Sequence, residues 1–156
     1  MTTNPVPKNC SQIMPYLAVE DPDALVEFIK TVFDGECVHQ LLNEDGSVYH
    51  SEYKIGTAHL MVGHVPPGED CTPASLYVYT QDCDAVYAKA IAQGAQPIMP
   101  PMDMFYGDRH GGVKDSHGNC WWMASRIEDV PTEQLQTRYE TFKASQNQPS
   151  PDEDAS

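Results

Sequence analysis

An internal repeat constrains the fold of this chain more than any other feature of its sequence. The tetrapeptide DPDA at 21–24 opens one amphipathic stretch, and DCDA at 82–85 opens a second one 61 residues further on (from 21 to 82). The stretches end in Gly35 and Gly94. Aspartate is a preferred N-cap and glycine often follows the last helical turn, so each stretch predicts a helix. A repeat of this length indicates a duplicated supersecondary unit.

Runs that read as strands surround both predicted helices. In the first unit QIMPYLAVED (12–21) precedes the helix, and ECVHQLLN, VYHSEYKIG and TAHLMVGHV follow it. In the second unit ASLYVYT precedes the helix, and the extended AQPIMPPMDMF, DRHGGVKD and CWWMAS follow it. The Asp45-Gly46 pair is a strong hairpin signal. Both units therefore predict the order βαβββ.

The predicted fold class is α+β, with two tandem βαβββ modules and a C-terminal helix. A segment rich in proline and glycine separates the repeats and predicts a linker. The expected segments are a flexible N-terminal arm (1–11), a first module (12–65), the linker (66–73), a second module (74–130), a helix (131–145) and a disordered acidic tail (146–156).

Charge and cysteine content narrow the class of protein. The chain has 23 acidic and 9 basic side chains, a net charge of −14 that argues against nucleic-acid partners and anionic membranes. Its apolar runs are far shorter than the roughly 20 residues of a membrane span, and the N-terminus lacks the features of a secretory signal. The five cysteines are odd in number and form no CxxC pair, which predicts reduced thiols and a cytoplasmic location.

Three segments carry a resemblance to a known family. They are YGDRHGGVKDSHGNCWWMASRIEDV (106–130), YHSEYKIGTAHLMVG (49–63) and PTEQLQTR (131–138). The chain resembles the vicinal oxygen chelate superfamily, which includes glyoxalases, bleomycin-resistance proteins and extradiol dioxygenases, and within it the PhnB-like branch. The resemblance covers about residues 12 to 130. It implies curved mixed sheets around a cavity and commonly a homodimer, with modules paired within one chain or swapped between two.

The resemblance also implies where a metal ion would bind. Metal-dependent members hold one divalent ion with His or Gln on the first strand of each module and Glu or a similar residue on the last. These positions fall here on Met14, on Met61 or its neighbour Leu60, on Ser75 and on Trp122. Apart from one serine, these side chains are no ligands for such an ion. We therefore predict no metal site and no cofactor.

Strand alternation within this implied fold predicts which side chains face the cavity. The predicted ligand-binding residues are Met14, Tyr16, His59, Met61, Ser75, Tyr77, Tyr106, Arg109 and Trp122. Aromatic rings and methionines suit a planar or apolar ligand, although any single ring can instead fill the core. Arg109 either binds an anionic group or pairs with Asp108, Asp115 or Glu52. Because His110 is its neighbour, only one of the two faces inward.

Three functions stay open. The first is a metal-free binding protein for a small aromatic or amphipathic molecule. The second is a metal-free isomerase or lyase in which His50, Glu52 or His110 acts as the base. The third is a metal-dependent glyoxalase- or dioxygenase-like enzyme with displaced ligands, drawn from His50, Glu52, His59 or His64, although these can also form a plain polar strand face. The predicted partners are a small molecule and a second copy of the chain.

Overall fold

The computed structural model describes residues 3–8 and 10–147 and builds them into two four-stranded sheets with three helices. The first module comprises β1 (Tyr16–Val19), α1 (Pro22–Phe33), β2 (Glu36–Leu42), β3 (Val48–Ile55) and β4 (Ala58–His64). The second comprises β5 (Ser75–Tyr79), α2 (Cys83–Ala92), β6 (Gln96–Asp103), β7 (Asp108–Lys114) and β8 (Cys120–Arg126). Helix α3 (Thr132–Gln146) follows. The predicted α+β class, with two βαβββ modules and a C-terminal helix, is confirmed.

Both sheets have the same topology. Their strand orders are β1-β4-β3-β2 and β5-β8-β7-β6. In each, the first strand of the module runs parallel to the last, with Tyr16 opposite Met61 and Tyr77 opposite Trp122. The shared topology places equivalent strands of the two modules in equivalent positions.

The repeated aspartates cap both helices. The Asp21 carboxylate accepts a hydrogen bond from the amide of Ala24 at 3.0 Å, and the Asp82 carboxylate accepts one from Ala85 at the same distance. Each bond satisfies an amide of the first turn that has no partner within its helix. The cap predicted from the repeat is therefore present in both modules.

The second aspartate of each repeat ties its helix to the third strand of its own module. Asp23 accepts from the amide of Val48 at 3.0 Å, at the start of β3. Asp84 binds the guanidinium of Arg109, near the start of β7, through contacts of 2.6 and 2.8 Å. Both modules therefore link the start of the helix to the third strand, one through a backbone amide and the other through an arginine side chain.

The two modules pack together through their helical sides. Trp121 on β8 is fully buried, and its ring lies 5.9 Å from that of Phe28 and 5.0 Å from that of Phe33, both on α1. The Trp121 indole donates to the buried Asp115 carboxylate at 2.9 Å. Lys89 on α2 reaches Asp34 beyond α1 at 3.4 Å. One apolar core thus spans both modules.

One strand is shorter than the sequence predicts, and another forms as predicted although it contains prolines. The ladder of β1 is much shorter than the predicted 12–21, because its pairing begins with the hydrogen bond from the Met61 amide to the Pro15 carbonyl. The extended 96–103 segment pairs with β7 despite its prolines. It is an edge strand with two register shifts, which is where proline is tolerated in a sheet.

Three further expectations concern the two chain ends, membrane-spanning helices and the cysteines. Residues 1, 2, 9 and 148–156 lie outside the described part, so most of the predicted acidic tail and part of the predicted arm do too. Within residues 3–8 and 10–147, no helix combines the length and apolar character needed to cross a membrane. All five cysteines are free thiols.

Candidate functional site

Each sheet has one face covered by a helix and one open face. Leu17 and Val62 in the first sheet, and Trp121 and Met123 in the second, are buried on the covered faces. Strand alternation places the neighbouring residues on the opposite side. The first open face carries Tyr16, His39, His50, Glu52, His59 and Met61, and the second carries Ser75, Tyr77, Tyr79, Asp108, His110 and Trp122.

A buried carboxylate organises the second open face. Asp108 is only 2% exposed, and its Oδ2 accepts hydrogen bonds from the hydroxyls of Tyr77 and Tyr79, both at 3.0 Å. Its Oδ1 faces the Arg126 guanidinium at 3.2 Å without a well-aligned hydrogen bond. The charge of Asp108 is thus compensated by one cation and two hydroxyl donors, which fix the two tyrosines.

The two tyrosine hydroxyls stay protonated in this environment. Burial, and next the hydrogen bonds with Tyr106 and Asp108, raise the pKa of Tyr77. The pKa of Tyr79 is raised first by its hydrogen bond to Asp108 and then by burial. Each hydroxyl therefore keeps its hydrogen and points it at the carboxylate.

His110 completes this cluster from β7, the strand that also carries Asp108. Its Nδ1 lies 3.1 Å from the Tyr77 hydroxyl and 3.0 Å from that of Tyr106. Burial lowers the pKa of His110, which favours a neutral imidazole near pH 7. Its ring centroid lies 5.7 Å from that of Trp122, at 31° between the ring planes. We call Tyr77, Tyr79, His110 and Trp122 the aromatic wall.

A glycine allows Trp122 to lie flat in this wall. Gly112 is the cross-strand partner of Trp122, and a β-carbon at position 112 would come within 2.5 Å of the indole ring. The indole NH donates to the Ser75 hydroxyl at 3.3 Å. Packing on the sheet and this hydrogen bond together fix the orientation of the ring.

The first open face carries a second polar cluster, centred on Glu52. This carboxylate is 5% exposed, and its Oε1 lies 2.9 Å from Nδ1 of His59. Nδ1 of His39 lies 3.6 Å from its other oxygen, and the Cys10 thiol lies 3.8 Å from Oε1. His50 stacks on Tyr16 instead, at 5.9 Å between centroids. The structure thus brings together Glu52 and His59 but not Glu52 and His50.

The other candidates from the sequence lie apart from these clusters. Arg109 is on the helix-covered side of its sheet, bound to Asp84 and to Asp103, where Nη1 is 2.9 Å from the carboxylate. The ion-pair partners predicted for Arg109 from the sequence did not include Asp84 or Asp103. Because its guanidinium already binds two carboxylates, we do not include Arg109 in the site. Met14 is half-buried and precedes β1.

Besides Tyr79, three members of the clusters were not among the site residues predicted from the sequence. Asp108 could have been found, because it is two residues from His110 on a predicted strand and so shares its face. His39 lies directly opposite Glu52 in the β2–β3 register, which contains two shifts that the sequence does not reveal. Cys10 lies outside every helix and strand, so no pattern placed it near Glu52.

Comparison with known proteins shows the family. The profile of the Glyoxalase/Bleomycin resistance protein/Dioxygenase superfamily matches residues 10–123, about three quarters of the chain. The chain belongs to this superfamily.

Individual relatives extend the likeness over most of the chain. An uncharacterised protein of Mycobacterium bovis is 26% identical over 135 residues, which cover 80% of this chain and 89% of that protein. The crystal structure of TioX from a Micromonospora species is similar with a TM-score of 0.62 and 25% identity, over 75% of this chain and 99% of that one. A PhnB protein from Bacillus cereus is similar with a TM-score of 0.60 and 24% identity, over 74% and 99%.

The side chains at the family's metal positions do not fit a divalent ion. The positions taken from the family resemblance hold Met14 before β1, Met61 on β4 (with Leu60 beside it), Ser75 on β5 and Trp122 on β8. This set has no imidazole and no carboxylate, the ligands that such an ion prefers. Elsewhere in the described part of the chain, no three His, Cys, Asp or Glu residues have the geometry to hold a metal ion.

Proposed function

We propose that this chain is a PhnB-like member of its superfamily that binds a small aromatic or amphipathic molecule, without a metal ion, against the aromatic wall. The proposal depends on one observation: hydrogen bonds to Asp108 fix the tyrosines of the wall on the side of the sheet, while their rings are exposed to solvent on the other side. Asp108 beneath it is buried, whereas Tyr77 is 43% exposed. Rings that filled a core would be covered. Exposed, pre-oriented rings with a few fixed polar groups suit a planar ligand.

The protein's wider setting follows from its charge and thiols. The net charge of −14 disfavours nucleic acid and anionic membranes as partners. Five free thiols favour a reducing compartment, so we infer a cytoplasmic location. The similarity to a PhnB protein supports the proposed branch.

We also propose that two copies pair through the open faces. The described contacts join the modules of one chain on their helical sides, and no hydrogen bond, ion pair or ring contact among them joins the Glu52 cluster to the aromatic wall. Edge strand β2 exposes Leu41 and Leu42, and such a bare apolar edge favours a covering partner. A swapped pair would place the first open face of one copy over the wall of the other.

The oligomeric state tests this pairing. Sedimentation should give a mass twice the 17.3 kDa of one chain. The double substitution L41D/L42D should shift the protein toward the monomer, because charges would then lie on the proposed interface. Ile91→Asp, at a partly exposed position on α2, is the matched control and should leave the dimer intact. A monomeric wild type would contradict the pairing.

Tryptophan fluorescence tests ligand binding. A panel of planar aromatic compounds should include ligands that quench Trp122 and raise the melting temperature, because a ligand that binds only the folded state stabilises it. Trp121, the other tryptophan of the sequence, is buried on the covered face of the sheet. In Trp122→Phe the quench should vanish. If no compound in a broad panel quenches the wild type or raises its melting temperature, the binding proposal fails.

A specific contact favours a metal-free isomerase or lyase as the second candidate. Tyr77 donates to Asp108 and lies within hydrogen-bond distance of His110, so a carboxylate, a hydroxyl and a neutral imidazole form a chain beside the wall. Such an imidazole suits a general base. Turnover of a carbon acid that His110→Gln abolishes, with Trp122 quenching retained, would favour the enzyme. Turnover that is unchanged in His110→Gln would count against it.

A further inference from the structure

The structure contains a cavity where the two modules meet, which shares Tyr77 and Tyr79 with the aromatic wall but is not lined by His110 or Trp122. It has a volume of about 500 Å³ and lies between the β3–β4 turn of the first module and β5 of the second. Most of its wall is apolar, contributed by Pro15, Ile55, Leu60, Leu76, Val78 and Trp121. Its size and lining are those of a small-molecule site. We call it the junction cavity.

His59 is the imidazole in the wall of this cavity. Its Nδ1 lies 2.9 Å from the Glu52 carboxylate, and both side chains are largely buried. An ionised carboxylate can only accept a hydrogen bond, so the hydrogen of the neutral imidazole lies on Nδ1. Nε2 on the other side of the ring then carries a lone pair. No hydrogen bond to His59 Nε2 occurs within residues 3–8 and 10–147.

The tyrosines of the cavity do not supply a donor. Tyr77 and Tyr79 also line it, but each hydroxyl gives its hydrogen to Asp108. Apart from Thr57, whose hydroxyl can donate or accept, the polar side chains of the cavity therefore offer acceptors. A ligand that donates a hydrogen bond complements it, whereas a carboxylate or phosphate would face the buried charge of Glu52.

We propose that the junction cavity binds a small, largely apolar molecule that carries a weakly acidic hydroxyl, such as a phenol or an enol. The ligand hydroxyl donates to Nε2 of His59. Glu52 is the positioning residue, because it sets the tautomer of His59 through Nδ1. The charged and titratable groups that face this pair are His39 on β2, Lys54 opposite His59 on β3, and Cys10 before β1.

A matched pair of ligands tests the hydrogen bond. We would measure the affinity of p-cresol and of 4-methylanisole, which lacks the hydroxyl hydrogen, by calorimetry at about pH 8, where free phenol is neutral. The wild type should bind p-cresol about tenfold more tightly, the equivalent of one net hydrogen bond. Equal affinities for the two compounds, or no binding of p-cresol, would overturn the proposal.

Substitutions of Glu52 and His59 test whether these two residues cause the preference for p-cresol over 4-methylanisole. Glu52→Gln keeps the shape of the side chain but can either accept from Nδ1 or donate to it, so Nε2 is no longer held free of hydrogen and the tenfold preference should fall. His59→Phe should remove the preference as well. His64→Gln, at the exposed end of the same strand, is the control and should keep it. A preference that persists in both Glu52→Gln and His59→Phe would overturn the proposal.

Two further readouts separate this site from a folding defect of the variants and from binding against Trp122 of the aromatic wall. In the wild type, nitrogen-15 spectra of the His59 ring should show the hydrogen on Nδ1, and a hydrogen on Nε2 would overturn the proposal. The cresol preference should survive Trp122→Leu, because Trp122 does not line the junction cavity. A preference lost in Trp122→Leu but kept in His59→Phe would assign p-cresol to the wall, which would reject this site and leave the proposed function standing.

Discussion

At the scale of single residues, the hydrogen-bond partners of a candidate side chain decide whether it is available to a ligand. The two adjacent basic residues Arg109 and His110 point to opposite sides of β7. Arg109 reaches the helix and is tied down by two carboxylates, whereas His110 joins the aromatic wall. Strand alternation predicted that only one would face inward. The choice between them depended on where Asp84 and Asp103 lie.

Acid stability should report the environment of His110. Burial lowers its pKa, so the folded protein binds this proton more weakly than the unfolded chain, in which histidine titrates near about 6.5. The free energy of unfolding should therefore fall as the pH drops below about 6.5, until the folded-state pKa is reached. Urea unfolding from about pH 7 to 5 should show a smaller loss in His110→Gln. His64→Gln is the exposed control, and an equal loss in wild type and His110→Gln would contradict the prediction.

At the scale of elements, the repeat keeps the same two aspartates at the start of each helix, but the partner on the third strand differs between the modules. Both helices begin at an aspartate cap, and both are tied to the third strand by the aspartate two positions later. The cap is a local interaction, so it could be predicted from the sequence. The tie is not local, and the two modules make it with chemically different partners.

Removing the caps should have equal effects in the two modules. Asp21→Ala and Asp82→Ala each delete a hydrogen bond of 3.0 Å to the first turn, so each should lower the free energy of unfolding by about 1 kcal/mol. Because the caps lie on different helices, the double variant should lose the sum of both. Urea unfolding would measure this, with Asp70→Ala in the exposed linker as control. Losses no larger than that of the control would refute it.

At the scale of the whole molecule, the helical sides are joined and the sheet faces are left open. The rings of Phe28 and Phe33 meet Trp121 in the core that spans both modules. The rings on the open faces remain accessible, with Tyr16 at 55% exposure. This division of covered and open faces leaves the proposed binding surface exposed.

One substitution in the shared core should weaken both modules together. Phe33→Ala removes a buried ring that packs on Trp121, and we expect a loss of about 3–5 kcal/mol in the free energy of unfolding. Far-ultraviolet dichroism and Trp121 fluorescence should still follow a single transition, because one core serves both modules. Tyr49→Ala, at an exposed ring, should cost far less. Two separate transitions in the wild type would contradict the shared core.

The sequence by itself determined the order of elements and the two helix caps. These features depend on residue type and on neighbours within a few positions, so periodicity and the repeat indicate them. Only the tertiary structure decided that His39 and His59, rather than His50, meet Glu52, and that Asp108 fixes the wall. Such contacts depend on strand register and on how the modules pack. Both arise from long-range packing, on which a local sequence pattern carries no information.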